Sequence, residues 1–243
     1  MSLHVHLVPS LAGADAGSTV VVEGPEAHHA VAVRRLGVGE PLLLTDGVGR
    51  VATCEVTGTG KARLEVAVRS VSTEPAPVPE VVVVQALPKG DRGELAVELL
   101  TEVGVARIVP WAASRSVAVW RGERAARSLA KWRSAAREAA KQARRAWFPE
   151  VSALASTSDV VALVASAPLA LVLHEGATEP LPGAVPDRVV LVVGPEGGLA
   201  PDELASFDGA GAHPVRLGRE VLRTSTAGVA AVSALLSRTP RWR

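Results

Sequence analysis

Three prolines at alternate positions, Pro75, Pro77 and Pro79, divide this chain into two stretches that no single regular element can bridge. Proline fixes φ and offers no backbone N–H, so Ser72 to Glu80 reads as a stiff, extended connector. The hydrophobic pattern changes across it. Before it, short apolar or alternating runs at 20–22, 41–44, 51–56 and 64–68 are separated by turn signals at Gly24-Pro25, Asp46-Gly47 and Gly58-Thr59-Gly60. That spacing predicts a small β-barrel over residues 1–72, then a linker over 73–80. After it, strand-like segments (81–87, 107–110, 169–173, 189–193, 215–217) alternate with helix-like ones (92–104, 123–147, 159–165, 201–207, 221–237). Alternation of this kind predicts an α/β domain with a mostly parallel sheet over 81–243.

Composition narrows the class. The 243 residues are 48% hydrophobic and 21% charged, enough apolar material for packed cores and against wholesale disorder. One cysteine, Cys54, excludes an internal disulfide and a Cys-based zinc site. His28-His29 is followed by no metal-like spacing, and Glu94, Glu98 and Glu102 form a row typical of solvated helix faces, so no metal is expected. No apolar run is long enough for a membrane span, and the first residues lack the basic and apolar regions of a secretion signal. The expectation is a soluble cytoplasmic protein. With two Phe, five Trp and no Tyr, stacking of bases on an aromatic platform is not the expected binding mode.

Charge is segregated along the chain. From Arg121 to Arg145 there are nine Lys or Arg and two Glu, although the whole chain carries +1. At 100° per residue, Arg124, Arg127, Lys131, Lys141 and Arg145 fall within an arc of about 100°. Leu129, Trp132, Ala136, Ala139, Ala143 and Trp147 occupy the opposite side. Such a stripe suits a phosphate backbone and equally suits the solvated face of an ordinary surface helix.

Three strand ends carry polar, glycine-containing loops. Leu191-Val192-Val193 runs into Gly194-Pro195-Glu196-Gly197-Gly198-Leu199, which is neither a dinucleotide fingerprint nor a P-loop. Leu173-His174-Glu175-Gly176 ends a second strand. Leu217-Gly218-Arg219-Glu220-Val221-Leu222-Arg223 ends a third and opens the last helix. Carboxyl ends of parallel strands share one sheet edge, so these loops predict a single ligand site. No G-x-S-x-G nucleophile motif competes with it.

These residues carry a family resemblance. His28-His29, Val33-Arg34-Arg35-Leu36, Gly39 and Asp46-Gly47 belong to it in the first stretch. Leu87-Pro88-Lys89-Gly90-Asp91-Arg92, Thr101-Glu102-Val103-Gly104-Val105 and Ser114-Arg115-Ser116 follow. Lys131-Trp132, Glu138-Ala139, Gln142, Arg145 and Pro149-Glu150-Val151 continue it, and the Gly194 and Leu217 loops complete it. In this order the set resembles the RsmE family of 16S rRNA uridine-N3 methyltransferases, in the SPOUT class, over nearly the whole chain. The chain departs from the family pattern at Glu220 and Ser225, where Arg and Glu are frequent, and at His4-Val5-His6, where Arg-Phe is usual.

The resemblance implies an α/β SPOUT methyltransferase domain with a C-terminal trefoil knot, preceded by a PUA-like β-barrel that binds RNA, in a homodimer. It implies S-adenosyl-L-methionine as cofactor and N3 of one uridine of 16S rRNA (U1498) as acceptor, within the small ribosomal subunit. Carried over, the cofactor contacts are Leu173, His174, Glu175, Gly194, Pro195, Glu196, Gly198, Leu217, Gly218, Val221, Leu222 and Thr226. Arg223 is the candidate for stabilising the uracil anion, with pairing to a carboxylate as its alternative role. Arg34, Arg35, Lys89, Arg115 and Arg145 are the candidates for RNA phosphates. SPOUT ribose 2′-O-methyltransferases rely on an asparagine motif, and this chain has no asparagine. A non-catalytic RNA-binding protein is the other reading, which cofactor binding separates. Small residues in 221–236 (Ala227, Gly228, Ala231) suit close packing either in the core or across a dimer.

Overall fold

The computed structural model describes residues 3–242; Met1 and Ser2, part of the segment read above for a secretion signal, and Arg243 lie outside it. The chain forms two compact units, Met1–Ala76 with Ala140–Phe148, and Pro77–Ala139 with Pro149–Arg243.

In the first unit the strands are β1 (Val5–Leu7), β2 (Thr19–Glu23), β3 (Pro41–Thr45), β4 (Arg50–Gly60) and β5 (Arg63–Thr73). They form one sheet in the order β1-β3-β4-β5-β2, with β1 parallel to β3 and the other neighbours antiparallel. Side chains alternate across each strand. Ala52, Cys54 and Val56 of β4 therefore meet Leu64, Val66 and Val68 of β5 in one buried cluster with Leu42 and Leu44. Register shifts at Thr53/Cys54 and Val56/Gly58 mark bulges, which bend a sheet. Gly24-Pro25 predicts a turn from the sequence alone. The structure has instead a short helix, α1 (Pro25–His28), running on as a π-helical turn over His29–Val33. Pro25 at its first position is preorganised for a helix, and Ala27 and Ala30 bury completely.

The second unit contains β6 (Glu80–Ala86), α2 (Arg92–Glu102), β7 (Arg107–Trp111), α3 (Gly122–Gln142), β8 (Glu150–Val151) and α4 (Thr157–Ala165). It continues with β9 (Ala170–Leu173), β10 (Arg188–Val193), α5 (Pro201–Gly209), β11 (Ala212–Val215) and α6 (Thr224–Leu236). All six strands are parallel, in the order β11-β9-β10-β6-β7-β8. The continuous valines of β6 follow from burial on both faces. Val81 and Val83 pack with Leu100, Trp132 and Leu235, whereas Val82 and Val84 pack with Trp111, Val160 and Phe207. The last strand lies at Ala212–Val215 rather than at 215–217, because Ala212 and Val215 pair with Ala170 and Leu173 and release Arg216 and Leu217 into a loop.

Gly93 of α2 lies under the Trp132 indole, so close that a Cβ there would sit 2.8 Å from the ring. Trp132 in turn receives the edge of Trp120, with ring centroids 5.1 Å apart. Gly93→Ala gains helix propensity but forces this stack apart. The expected net loss is about 1–3 kcal/mol, read as a lower urea midpoint at unchanged m-value.

Helix α3 ends at Gln142, short of the 123–147 span read from its periodicity. Arg144 adopts φ +52°, its N–H donates to the Lys141 carbonyl, and the Arg145 N–H donates to the Ala140 carbonyl. This is a Schellman ending with arginine where glycine is usual. Residues 140–148 then complete the first unit. The Phe148 N–H donates to the Gly47 carbonyl and the Trp147 indole N–H to that of Glu74.

This return overturns one reading of the basic stripe. Lys141 does not face solvent but is 5% exposed, its Nζ donating to Glu26 Oε1 and Oε2 at 3.0 and 3.2 Å. Burial alone would raise the pKa of Glu26. The His6 imidazole, the Lys141 ammonium and the Leu7 N–H outweigh burial and lower it from 4.5 to about 2. A depressed carboxylate pKa contributes stability that is complete above the unfolded value and disappears as pH falls through the folded one. Stability should therefore decline from about pH 4.5 toward pH 2, and Glu26→Gln should flatten that slope in urea unfolding measured at several acid pH values.

Candidate functional site

Because β9, β10 and β11 are parallel neighbours, their carboxyl ends open on one edge of the sheet. The loops after them enclose a cavity of about 530 Å³. Its apolar part is Leu173, Val193, Leu199, Val215 and Leu217, and its polar rim includes His174, Glu175, Glu196, Glu220 and Arg223. The His174 N–H donates to the Val215 carbonyl, tying the first loop to β11. The glycine loop turns through a Gly198 N–H to Pro195 carbonyl bond with φ +71° at Gly198, a left-handed conformation that glycine adopts at little cost.

Neighbouring loops hold this edge in place. Glu203, 5% exposed at the start of α5, accepts from the Ser114 and Ala200 N–H groups at 2.8 and 3.1 Å and from the Thr157 hydroxyl. It thereby fixes the loop that carries Arg115. The Arg115 Nη1 donates to the carbonyls of Gly197 and Leu199. The Lys89 N–H donates to Glu196 Oε1, joining the loop after β6 to the glycine loop. Gln85, fully buried at the end of β6, directs its amide at the Thr224 carbonyl 3.4 Å away, where α6 begins.

Of the cofactor positions expected from the sequence, Leu173, His174, Glu175, Gly194, Pro195, Glu196, Gly198, Leu217, Val221 and Leu222 line this cavity, whereas Gly218 and Thr226 do not. The Thr226 hydroxyl donates to the Arg223 carbonyl at the first turn of α6. Arg223 is the N-cap residue, exposed, and its side chain makes no ion pair or hydrogen bond among the described residues. It pairs with no carboxylate there. Val193 and Val215, the last residues of their strands, and Thr224 also line the cavity; alternation along each strand could have marked the first two.

The positions expected to meet RNA divide between the units. Arg34, Arg35 and Arg145 lie in the first; Lys89 and Arg115 lie in the second. Arg145, half-buried beyond the end of α3, is already engaged in an interaction. Arg115 belongs to the glycine-loop cavity. Lys89 lines a separate groove with Arg124, Arg127 and Lys131, floored by Trp120 and Trp132. Among the described residues no cluster of three or more His, Cys, Asp or Glu could hold a metal ion, and no helix is long and apolar enough to cross a membrane.

The cavity combines an apolar interior, glycine-loop backbone and a few charged groups, within the usual size range for a small-molecule site. Comparison with known proteins agrees. Residues 74–236 match a family model described as an RNA methyltransferase domain, and residues 22–69 match an RNA methyltransferase PUA domain. The chain is 48% identical over 235 residues to a Mycobacterium bovis protein named ribosomal RNA small subunit methyltransferase E, covering 94% of this chain and 90% of that one. A Legionella pneumophila methyltransferase solved with bound S-adenosylmethionine superposes with a TM-score of 0.88 at 28% identity, covering 98% of each chain. The ribosomal RNA small subunit methyltransferase E of Neisseria gonorrhoeae, bound to S-adenosyl methionine, gives 0.86 at 26% identity, covering 97% of this chain and 98% of that one.

Proposed function

Because the chain belongs to the RNA methyltransferase family, with a PUA-like unit preceding an α/β SPOUT domain, we propose that it transfers a methyl group from S-adenosylmethionine to N3 of a uridine in 16S rRNA, the one at position 1498. One observation carries this reading: three strand-end loops converge on a single cavity lined by an arginine, Arg223, that makes no ion pair or hydrogen bond among the described residues. The residues suit the cofactor. Leu173, Val193 and Leu217 offer an apolar bed, the glycine loop brings backbone close, and Glu175, Glu196 and Glu220 supply negative charge for a cationic sulfonium.

When bound, S-adenosylmethionine supplies an electrophilic methyl carbon. The residues of the chain must then align uracil N3 with that carbon and manage one proton. The N3–H proton leaves to a base, the N3 lone pair takes the methyl carbon, and the carbon–sulfur bond electrons return to sulfur. Uracil becomes anionic as the proton leaves, and the Arg223 guanidinium is the cation available to stabilise it. N3 participates in base pairing, so the uridine is taken unpaired or flipped. Arg34 and Arg35 of the first unit and Lys89 of the second contribute phosphate contacts in this reading. The homodimer, the knot and a cytoplasmic location belong to the same proposal.

The absence of asparagine favours base over ribose methylation. Nucleoside mass spectrometry of small-subunit rRNA from cells lacking the gene, with and without its restoration, tests the proposal. Loss of 3-methyluridine that returns on restoration is expected. Intact 3-methyluridine with another methylated nucleoside missing moves the target, and no change in any nucleoside ends the catalytic reading.

A further inference from the structure

We propose that the first unit contains a proton-linked binding site for a tetrahedral oxyanion, built around His6 and separate from the methyl-transfer cavity. His6 is 2% exposed, and neither ring nitrogen has a hydrogen-bond partner among the described residues. Buried polar atoms are rarely left this way without a reason. His6 lines a small cavity of about 140 Å³, enough for one tetrahedral anion or a few waters at about 30 Å³ each.

The surrounding charge selects the sign of the ligand. His4 faces the cavity from the lead-in to β1, His29 from the π-helical turn and Arg34 from just after it, and Lys141 and Arg144 from the end of α3. Among the described residues Glu26 of α1 is the acid in contact with His6, its Oε1 3.5 Å from Nδ1. Lys141 already neutralises Glu26, so Arg34 and Arg144 leave the cavity with excess positive charge.

His6 supplies the proton linkage. A neutral imidazole has one N–H, whereas an imidazolium has two. Only the imidazolium can direct one N–H toward Glu26 and the other to an anion in the cavity. An anion that takes the second ring N–H therefore favours the imidazolium, and its affinity is expected to be higher at lower pH. The ligand chemistry is that of a phosphate or sulfate group. A phosphodiester of RNA is one source, which rests on the function proposed above; a free inorganic anion is the other, which does not.

The test uses sulfate, whose charge is constant near neutrality, titrated into the full chain at about pH 5.5 and about pH 8. The histidine ring resonances report occupancy. Sulfate should shift the His6 resonances and bind at least about tenfold tighter at the lower pH. His6→Gln should reduce that pH dependence to the part that His4 and His29, which face the same cavity, contribute. Arg144→Gly, which the left-handed backbone at this position favours, should weaken sulfate binding about fivefold or more without lowering Tm. It carries the test alone if His6→Gln does not fold. A single-stranded RNA oligonucleotide that displaces sulfate identifies a phosphodiester as the occupant; RNA binding without displacement identifies the free anion, and either result supports the site. The proposal is overturned if sulfate leaves the His6 resonances unmoved, if wild-type affinity is the same at both pH values, or if Arg144→Gly binds sulfate like the wild type.

Discussion

Replacing Arg223 with alanine is expected to lower methyl transfer to RNA about 100- to 1000-fold while leaving S-adenosylmethionine affinity within about threefold. The argument rests on position and on what the side chain does not do. Arg223 stands at the N-cap of α6 and lines the strand-end cavity, yet its guanidinium is committed to no carboxylate among the described residues. Its carbonyl holds the first turn of α6 by accepting from the Thr226 and Ala227 N–H groups, and alanine retains that carbonyl. The loop should therefore survive the substitution. What disappears is a fixed positive charge beside a base that becomes anionic as its proton leaves. Two measurements separate this role from loop maintenance. The deficit should shrink as pH rises and free uracil ionises more readily, and Arg223→Lys should recover part of the rate. An Arg223→Ala enzyme that methylates at the wild-type rate would remove Arg223 from the mechanism.

The largest expected effect on folding is at Lys141. Lys141→Met keeps most of the volume and removes the ammonium from Glu26, leaving a carboxylate that is largely buried with one strong partner fewer. Breaking one side of such a pair costs about 3–5 kcal/mol when fully buried, and about 3 kcal/mol is expected here because Glu26 retains some water contact. Urea unfolding at neutral pH measures the loss. Adding Glu26→Gln should recover much of it, since the damage lies in the unpaired charge rather than in lost packing. Equal stability of wild type and Lys141→Met would return Lys141 to the solvated stripe that helical periodicity suggests.

Lys141 also shows where the sequence stops being legible. On a helical wheel it shares an arc with Arg124, Arg127 and Lys131, and those three do line an open groove. Lys141 is separated from them only by Glu26, which lies 115 residues earlier in the chain. A wheel contains no information about a partner that distant. Arg115 has a second engagement that its place in Ser114-Arg115-Ser116 does not show: its Nη1 donates to the glycine-loop carbonyls of Gly197 and Leu199, which lie more than eighty residues later in the chain. Arg144 ends α3 in a backbone conformation that glycine normally marks, so periodicity carried the helix too far, through residue 147.

Other features were legible because their causes are local. Strand alternation in β4 and β5, the doubly buried valines of β6 and the glycine turns at strand ends each follow from backbone geometry over a few residues. The sequence by itself therefore determined the change of architecture at the proline tract, the parallel α/β character of the second stretch and the convergence of three loops on one edge. Parallel pairing guarantees that last point, since every strand then ends on the same side. Only the tertiary structure decided that residues 140–148 return to the first unit, that Lys141 is buried, that His6 is buried beside Glu26 with no hydrogen-bond partner among the described residues, and that Arg223 makes no ion pair or hydrogen bond among them at the strand-end cavity. Those outcomes depend on which groups, far apart in the chain, exclude water from one another, and no local period encodes that.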